Sequence, residues 1–452
     1  MARFALLGHS SADAVVAYRA GAPLSARQFL HDVQRVQAVL GEGTHVLNAC
    51  ADRYHFTVGF AAALTAAKVT LLPSTHTPEV IRQLQAFAAD AVCLTDAANC
   101  AIRLPQVRYP ATDSAPAPGM PAVPQIEATQ LATCVFTSGS TGTPVPYPKT
   151  FGPLCQCVLE EAQRLGIRGG TPWSIVATVP PQHMYGFESS VLMALANGHA
   201  LCAEHPFYPA DIAAVLESVP RPRALISTPV HLRALLGTGT VLPPTELIVS
   251  ATAPLSQQLA SEVEQRFGTR LMEIYGSTET GQVAARRPTA GPEWQLWPGV
   301  RFTHRGEETW ADGGHIEQPT RMCDVLEVTG EGRFLLHGRL ADLVNIAGKR
   351  SSLAYLTQQL NLIPGVEDGA FFHFEHARGP HPEVSRVAAA VVAPGLDAAR
   401  LFEALRQRID PVFLPRPLLL VPRLPRNATG KLPLEALQAL AVRHLKASSS
   451  AA

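Results

Sequence analysis

The sequence predicts an α/β protein: a large N-terminal domain of stacked, mostly parallel sheets with helices and a small β-barrel-like piece, then a smaller α+β domain. Three observations carry this. Short apolar runs alternate with helical patterns through the first 280 residues, and strand–helix alternation gives parallel sheets covered by helices. Residues 295–337 change to shorter runs and tight turns ("RGEE", "DGGH", "GEGR"), the mark of antiparallel pairing. At 452 residues the chain exceeds one ordinary core, so more than one domain is expected, divided as 1–340 and 341–452.

The elements follow in order. "FLHDVQRVQAVL" (29–40) has helical apolar spacing and "HVLNAC" (45–50) reads as a strand. "FTVGFAAALTAAK" (56–68) is again helical, and "VTLLP" (69–73) is extended. Residues 110–124 form a Pro/Ala/Ser-rich surface connection. "LATCVF" (131–136), "SIVATVP" (174–180), "ALIST" (224–228) and "ELIVSA" (246–251) are buried strands by length and branching. Beyond residue 341 come "AFFHFE", "VAAAVVAP", a helix at 397–409 and a last helix after Lys431.

Composition excludes several classes. Apolar residues make 47% and charged residues 16% of the chain, and the net charge is zero. No pull toward nucleic acid or acidic lipid is expected. The eight cysteines show no CxxC pair and no zinc spacing, so they read as buried, reduced thiols. No apolar run of 18 residues occurs and the N-terminus lacks the features of a signal segment. The expectation is a cytoplasmic protein without membrane insertion.

Chemistry collects in four stretches. "TSGSTGTPVPYPKT" (137–150) follows a buried strand. Its composition suits a linker, while its position suits a loop that offers backbone N–H groups and hydroxyls to a polyphosphate. "LMEIYGSTETGQ" (271–282) also ends a strand in hydroxyl residues. Tyr275 could stack on a base, Thr278 bond a phosphate and Glu279 hold Mg²⁺, or the stretch could be a capped helix start. The third is "LLHGRLADLVNIAGKRSSL" (335–353). In the fourth, "LPRNATGKLPLEAL" (424–437), Lys431 sits on a Gly-containing turn and is either a solvated lysine or a group able to swing into a site.

Taken in order, the four stretches resemble the signatures of the adenylate-forming superfamily, which includes acyl- and aryl-CoA synthetases, peptide-synthetase adenylation domains and beetle luciferases. The likeness spans roughly residues 10 to 440. It implies that Thr137, Ser138, Gly139, Ser140, Thr141 and Gly142 cradle ATP phosphates. Tyr275 and Gly276 would face adenine, Thr278 the phosphates, and Glu279 the metal. "SATAPLS" (250–256) is similar to the adenine-side turn and brings in Ala253. "PPQHMYG" (180–186) resembles the segment lining the acyl pocket and thiol tunnel, with His183 as gate. Pocket candidates are Tyr185, Gly186, Phe187, His231, Ser250 and Ala251. Asp324 and Arg339 stand where ribose ligands stand, and Lys431 where the catalytic lysine stands.

The resemblance further implies the reaction. A carboxylic acid, aryl or medium acyl, is activated with ATP and Mg²⁺. The acyl group then passes to a pantetheine thiol, of CoA or of the 4'-phosphopantetheine arm of an acyl carrier protein. The smaller domain is implied to be mobile, pivoting at "GRLAD" between the two steps. Short forms like this resemble ligases of bacterial aryl-polyene and xanthomonadin-type pathways.

Departures from the pattern are specific. Val145 and Pro146 replace the loop's usual lysine and glycine, and Lys149 is expected to return toward the phosphates. The hinge reads Ala341, and Ala251 and Thr252 replace two glycines of the adenine turn. A non-catalytic nucleotide-binding scaffold is the contrasting reading, and retention of Lys431 argues against it.

Overall fold

The computed structural model describes residues 2–73, 75–111, 122–138, 144–306, 308–339, 343–346, 349–374, 386–427 and 431–449. They fall into two compact units, Met1–Thr303 with Ala311–Thr320, and His304–Trp310 with Arg321–Ala452.

The first unit is built on two sheets. One runs in the order Pro144–Thr150, Leu131–Ser138, Val69–Leu72, His45–Asn48, Val92–Thr95, Gln106–Arg108. Only its first pair is antiparallel. The other runs Trp294–Leu296, Gly281–Arg286, Arg270–Ser277, Leu247–Ser250, Arg223–Ser227, Ser174–Ala177, Ala200–Cys202, Val15–Arg19, Ala22–Ser25. Its pairings from Val15–Arg19 across to Arg270–Ser277 are parallel, and antiparallel strands flank that parallel part on both sides. Strands buried on both faces need unbroken apolar runs, which is why "LIVS" and "RALIS" read as they do.

Helices start where a side chain can satisfy a free N–H. Ser25 accepts from Gln28 N–H before Ala26–Val39, Asp52 from His55 N–H before Arg53–Thr65, and Ser256 from Leu259 N–H before Gln257–Phe267. They pack their apolar stripes on the sheets. One cluster joins Val176, Leu225, Ile248 and Leu271 of the strands to Leu232, Leu235, Leu259 and Val263 of the helices.

Residues 184–197 depart from the simple helix expected of an apolar run. A π-helical turn, Phe187–Leu192, lies between α-helical turns Met184–Gly186 and Met193–Asn197. The wider turn rotates the side chains that follow. Phe187, expected in the acyl pocket, is instead fully buried, edge-to-face with Phe60 at 4.9 Å and Phe56 at 6.5 Å. That is a core position, and spacing alone does not reveal it.

The turn-rich stretch forms a three-stranded sheet of Val300–Arg305, Glu308–Gly313 and Thr320–Arg321. In the second unit, the hairpin Asp324–Gly330/Arg333–Arg339 packs with the helix Leu353–Asn361. Ser352 Oγ donates to His337 O at 3.2 Å. By compactness this hairpin groups with the second unit, which takes up the chain again at Arg321. That unit also holds the sheet Asp368–Phe374, Arg386–Val392, Leu418–Leu420 with helices on both faces. A two-point ion pair ties Asp368 to Arg426 at 2.7 and 2.8 Å.

All eight cysteines are free; six are buried, Cys100 is partly so and Cys323 is exposed. Among the described residues, no helix is long and apolar enough to cross a membrane.

Truncating Phe187 to Ala should lower stability by about 3–5 kcal/mol, as expected for deleting a buried ring. Denaturant unfolding checks this. A loss under about 1 kcal/mol would place the ring in an accommodating pocket after all.

Candidate active site

The parallel register sets the site. Ala177 pairs with Ile226 and Ser227 with Ser250, so three central strands stop within a residue of one another, while Ser250 pairs with Glu273 and the strand Arg270–Ser277 runs on past that edge. Ligands of open α/β sheets bind outside the carboxyl ends of strands. Polar residues gather at that edge: Thr178, Ser227, Thr228, Ser250 and, on the next strand, Tyr275. Thr178 Oγ1 and Ser227 Oγ share a hydrogen bond at 3.0 Å.

Over this edge comes the segment with His183, Tyr185 and Gly186. Tyr185 is buried and its hydroxyl donates to Val249 O at 3.0 Å, fixing the segment above the strand that ends in Ser250. Gly186 is required by close approach, since a Cβ there would lie 2.1 Å from Pro180 O. His183 precedes the short helix and its carbonyl accepts from Phe187 N–H at 2.8 Å.

Ser250 is fully buried and its Oγ has no partner; Ala251 beside it is also buried. His231, 4% exposed, shares a hydrogen bond with Thr228 Oγ1 at 2.9 Å and stacks edge-on to Phe207, while its Nε2 is unpartnered. Burial, with His205 nearby, pushes its pKa down to about 4, so the imidazole is neutral at pH 7.

The adenine-side turn carries a backbone signature. Thr252 sits at φ +79°, a left-handed conformation that a β-branched residue rarely adopts. Ala253 follows, partly exposed.

The turn Ser277–Gln282 is built with equal precision. Gly276 lies against Gly281, where a Cβ would come within 2.3 Å of the Gly281 carbonyl. Thr280 N–H donates to Ser277 Oγ at 3.2 Å, and Ser277 N–H to Thr280 Oγ1 at 3.3 Å. Thr278 and Glu279 project from this turn, both partly exposed. Tyr275 lies 5.6 Å from Trp294, whose other neighbour is Arg286 at 4.6 Å. Arg286 in turn pairs with buried Glu273 at 2.7 Å.

Lys149 does reach this region. Its Nζ donates to Glu279 O at 2.6 Å. Burial lowers its pKa, opposed by Glu188, Glu317, Cys157 and Glu279. Behind it lies a group that sequence reasoning missed. Glu188 is fully buried with its pKa raised by burial to about 7, against the pull of Lys149. Burial also holds the Glu161 carboxyl well up, and Ser189 Oγ donates to it at 2.7 Å. Cys157 Sγ lies 3.5 Å from both Glu188 Oε1 and Gln282 O. The one available signal was a carboxylate inside the apolar run "FESSVL".

Other expected site residues separate as follows. Gly139, Ser140, Thr141 and Gly142 lie outside the described residues, as do the side chains of Thr137 and Ser138 at the end of their strand. In the second unit Asp324 and Arg339 are register partners across one hairpin, so the fold brings that pair together. Arg339's side chain and the hinge residues 340–342 lie outside the described residues. Lys431 is exposed, on a loop closed by Lys431 N–H to Asn427 Oδ1 and Asn427 N–H to Lys431 O, each 2.9 Å. Among the described residues no three His, Cys, Asp or Glu gather as a metal cage.

A parallel sheet whose carboxyl edge gathers polar side chains beside a hydroxyl- and carboxylate-bearing turn is the usual setting of a ligand site in an open α/β fold. The comparisons agree: residues 5–319 match the model of the AMP-binding enzyme family, and the chain belongs to that family. It is 31% identical to a 4-coumarate–CoA ligase of Rhodobacter capsulatus over 53% of this chain and 60% of that protein. An indoleacetate–CoA ligase of Aromatoleum aromaticum is 24% identical over 81% of this chain and 78% of its own. In fold, ATP-bound MatB from Rhodopseudomonas palustris superposes with a TM-score of 0.78 at 20% identity, covering 95% and 96% of the two chains. The o-succinylbenzoate CoA synthetase of Bacillus subtilis, complexed with its acyl-adenylate, gives 0.79 at 16% identity, covering 94% and 95%.

Thr252→Gly should stabilise the protein by about 1 kcal/mol, since glycine adopts the left-handed region without strain. A thermal melt should rise by about 2 °C. A fall would mean that the threonine side chain contributes more than its backbone costs.

Proposed function

We propose that this chain activates a carboxylic acid with ATP, forming an acyl-adenylate and pyrophosphate, and then passes the acyl group to a pantetheine thiol. The observation that carries this is the Ser277–Gln282 turn at the carboxyl edge of the parallel sheet, with Thr278 and Glu279 partly exposed on it and Tyr185 and the unpartnered Ser250 Oγ buried at the neighbouring strand end. Names of the relatives, CoA ligases of aryl acids among them, support the same reading.

The chain's residues fit a magnesium ion. The Glu279 carboxylate is partly exposed and, among the described residues, no hydrogen bond or ion pair is recorded for it. One protein carboxylate with phosphate and water oxygens is how Mg²⁺ is commonly held. When bound, the ion would offset charge on the phosphates. Thr278 would bond a phosphate oxygen, as the resemblance also implies for residues 137–142. The acid's carboxylate oxygen attacks the α-phosphorus and pyrophosphate leaves. Lys431 would then neutralise charge on the meeting anions, an electrostatic and positioning effect. Tyr275 and Ala253 would contact adenine, and Asp324 and Arg339 the ribose. Rotation at residues 339–342 would exchange Lys431 for a thiol path past His183.

The pocket favours a neutral acyl group. His231 is uncharged at neutral pH, so it offers no cation to a second carboxylate. The unpartnered Ser250 Oγ and His231 Nε2 would suit one hydrogen-bonding substituent on an aryl or medium acyl chain. The acceptor is CoA or the pantetheine arm of an acyl carrier protein, and the setting is cytoplasmic.

Pyrophosphate release across a panel of aryl, fatty and hydroxy acids tests the reading. Release should depend on the acid and fall at least about a hundredfold in Lys431→Ala, the scale of losing a key electrostatic group. An acid-independent or absent signal would favour a nucleotide-binding scaffold instead.

A further inference from the structure

Lys149 was expected to serve the phosphates in place of the missing loop lysine. The strand geometry opposes this. Lys149 pairs with Thr133, whereas Pro144 at the loop end pairs with Ser138. Five residues of strand, about 16 Å, therefore separate Lys149 from Pro144. Its ammonium is instead placed against the carbonyl of Glu279 at 2.6 Å.

Lys149 is one of several groups on that turn. His315 Nε2–H donates to Thr280 O at 3.1 Å, and Cys157 Sγ stands 3.5 Å from Gln282 O. The Glu188 carboxylate faces Gly281, where a Cβ would lie 2.9 Å from Oε1. Four successive residues of the turn, Glu279 to Gln282, are thus backed by side chains of a strand, a helix, a π-helical turn and a loop. The part-buried Lys149 loses some hydration, and Glu188, Glu317 and Glu279 favour its charged form against that burial. Glu317 accepts from Thr150 N–H and Oγ1 at 3.1 and 2.9 Å, which fixes the backbone next to Lys149.

We infer that Lys149, Glu188, Cys157 and His315 form a positioning clasp that sets the backbone of the Ser277–Gln282 turn and so aims Thr278 and Glu279 at the nucleotide and its metal. Lys149 acts through the turn and does not touch phosphate. The roles given to Thr278 and Glu279 rest on the proposed function.

The test uses the full chain with Mn²⁺ as the probe, titrated by electron paramagnetic resonance with ATP present, beside steady-state kinetics. Lys149→Met should weaken Mn²⁺ binding in the ATP complex about tenfold and raise the KM for ATP similarly, with the KM for the acid within about twofold. Lys149→Arg should restore binding to within about threefold, because a guanidinium can still donate to the Glu279 carbonyl. Glu188→Gln should fall between. His315→Ala removes one carbonyl donor without uncovering a charge, and should weaken Mn²⁺ binding about threefold even if Lys149→Met does not fold.

Direct phosphate contact would show as equal weakening of metal-free ATP and of the Mn²⁺–ATP complex in Lys149→Met, unrescued by arginine, and would overturn the clasp. So would wild-type Mn²⁺ binding in both Lys149→Met and His315→Ala. The metal titration stays readable if no acid is ever turned over, so failure of the ligase reading is distinguishable from failure of the clasp.

Discussion

Everything at the site follows from the in-register parallel pairing of Ser174–Ala177, Arg223–Ser227, Leu247–Ser250 and Arg270–Ser277. Parallel strands all end on one side, so their last residues and the loops after them must share one edge. Apolar residues fill the strands, and the hydroxyl and aromatic residues are left at that edge. The site therefore needs no coincidence of distant loops: the sheet that buries the core also lines up the chemistry.

Such an edge must be supported from within, and the support is polar. Arg53 is fully buried and donates to Ala177 O at 3.0 Å, Val179 O at 2.8 Å and Ser190 Oγ at 2.7 Å. It thereby fixes the chain leaving one central strand, just before the His183 segment. Lys149, Glu188, Glu161 and Gln282 do the same for the neighbouring turn, with Gln282 and Ser189 joined at 2.8 Å. Groups of this kind cost much to bury alone and hold geometry well when satisfied. Thr252 at positive φ is the opposite case, a local strain kept beside the pocket.

Much of this was legible in the sequence, for definable reasons. Apolar runs ending in small hydroxyl residues marked the strands Leu131–Ser138 and Arg270–Ser277, because branched apolar residues bounded by Gly, Ser and Thr read as buried strands with their ends. The Asp324–Arg339 pair was legible as two motif positions, and the hairpin register joins them. Phe187 was misplaced because its packing against Phe56 and Phe60 spans more than 120 positions of the chain, and periodicity carries no trace of that. The buried clasp was hidden for another reason. Cys157 meets Glu188 across 31 positions and Gln282 across 125, while Lys149 meets Glu279 across 130. Contacts of that range are set by tertiary packing alone.

The central claim is that an acid's carboxylate oxygen attacks the α-phosphorus of ATP at this edge. Supplying the acid labelled with ¹⁸O in its carboxylate, with ATP, Mg²⁺ and a pantetheine thiol, follows that oxygen directly by mass spectrometry. The account predicts AMP carrying one ¹⁸O for each thioester formed, because thiol attack on the acyl carbon leaves the carboxylate oxygen on phosphorus. Label in inorganic phosphate, or unlabelled AMP beside free acid, would contradict it.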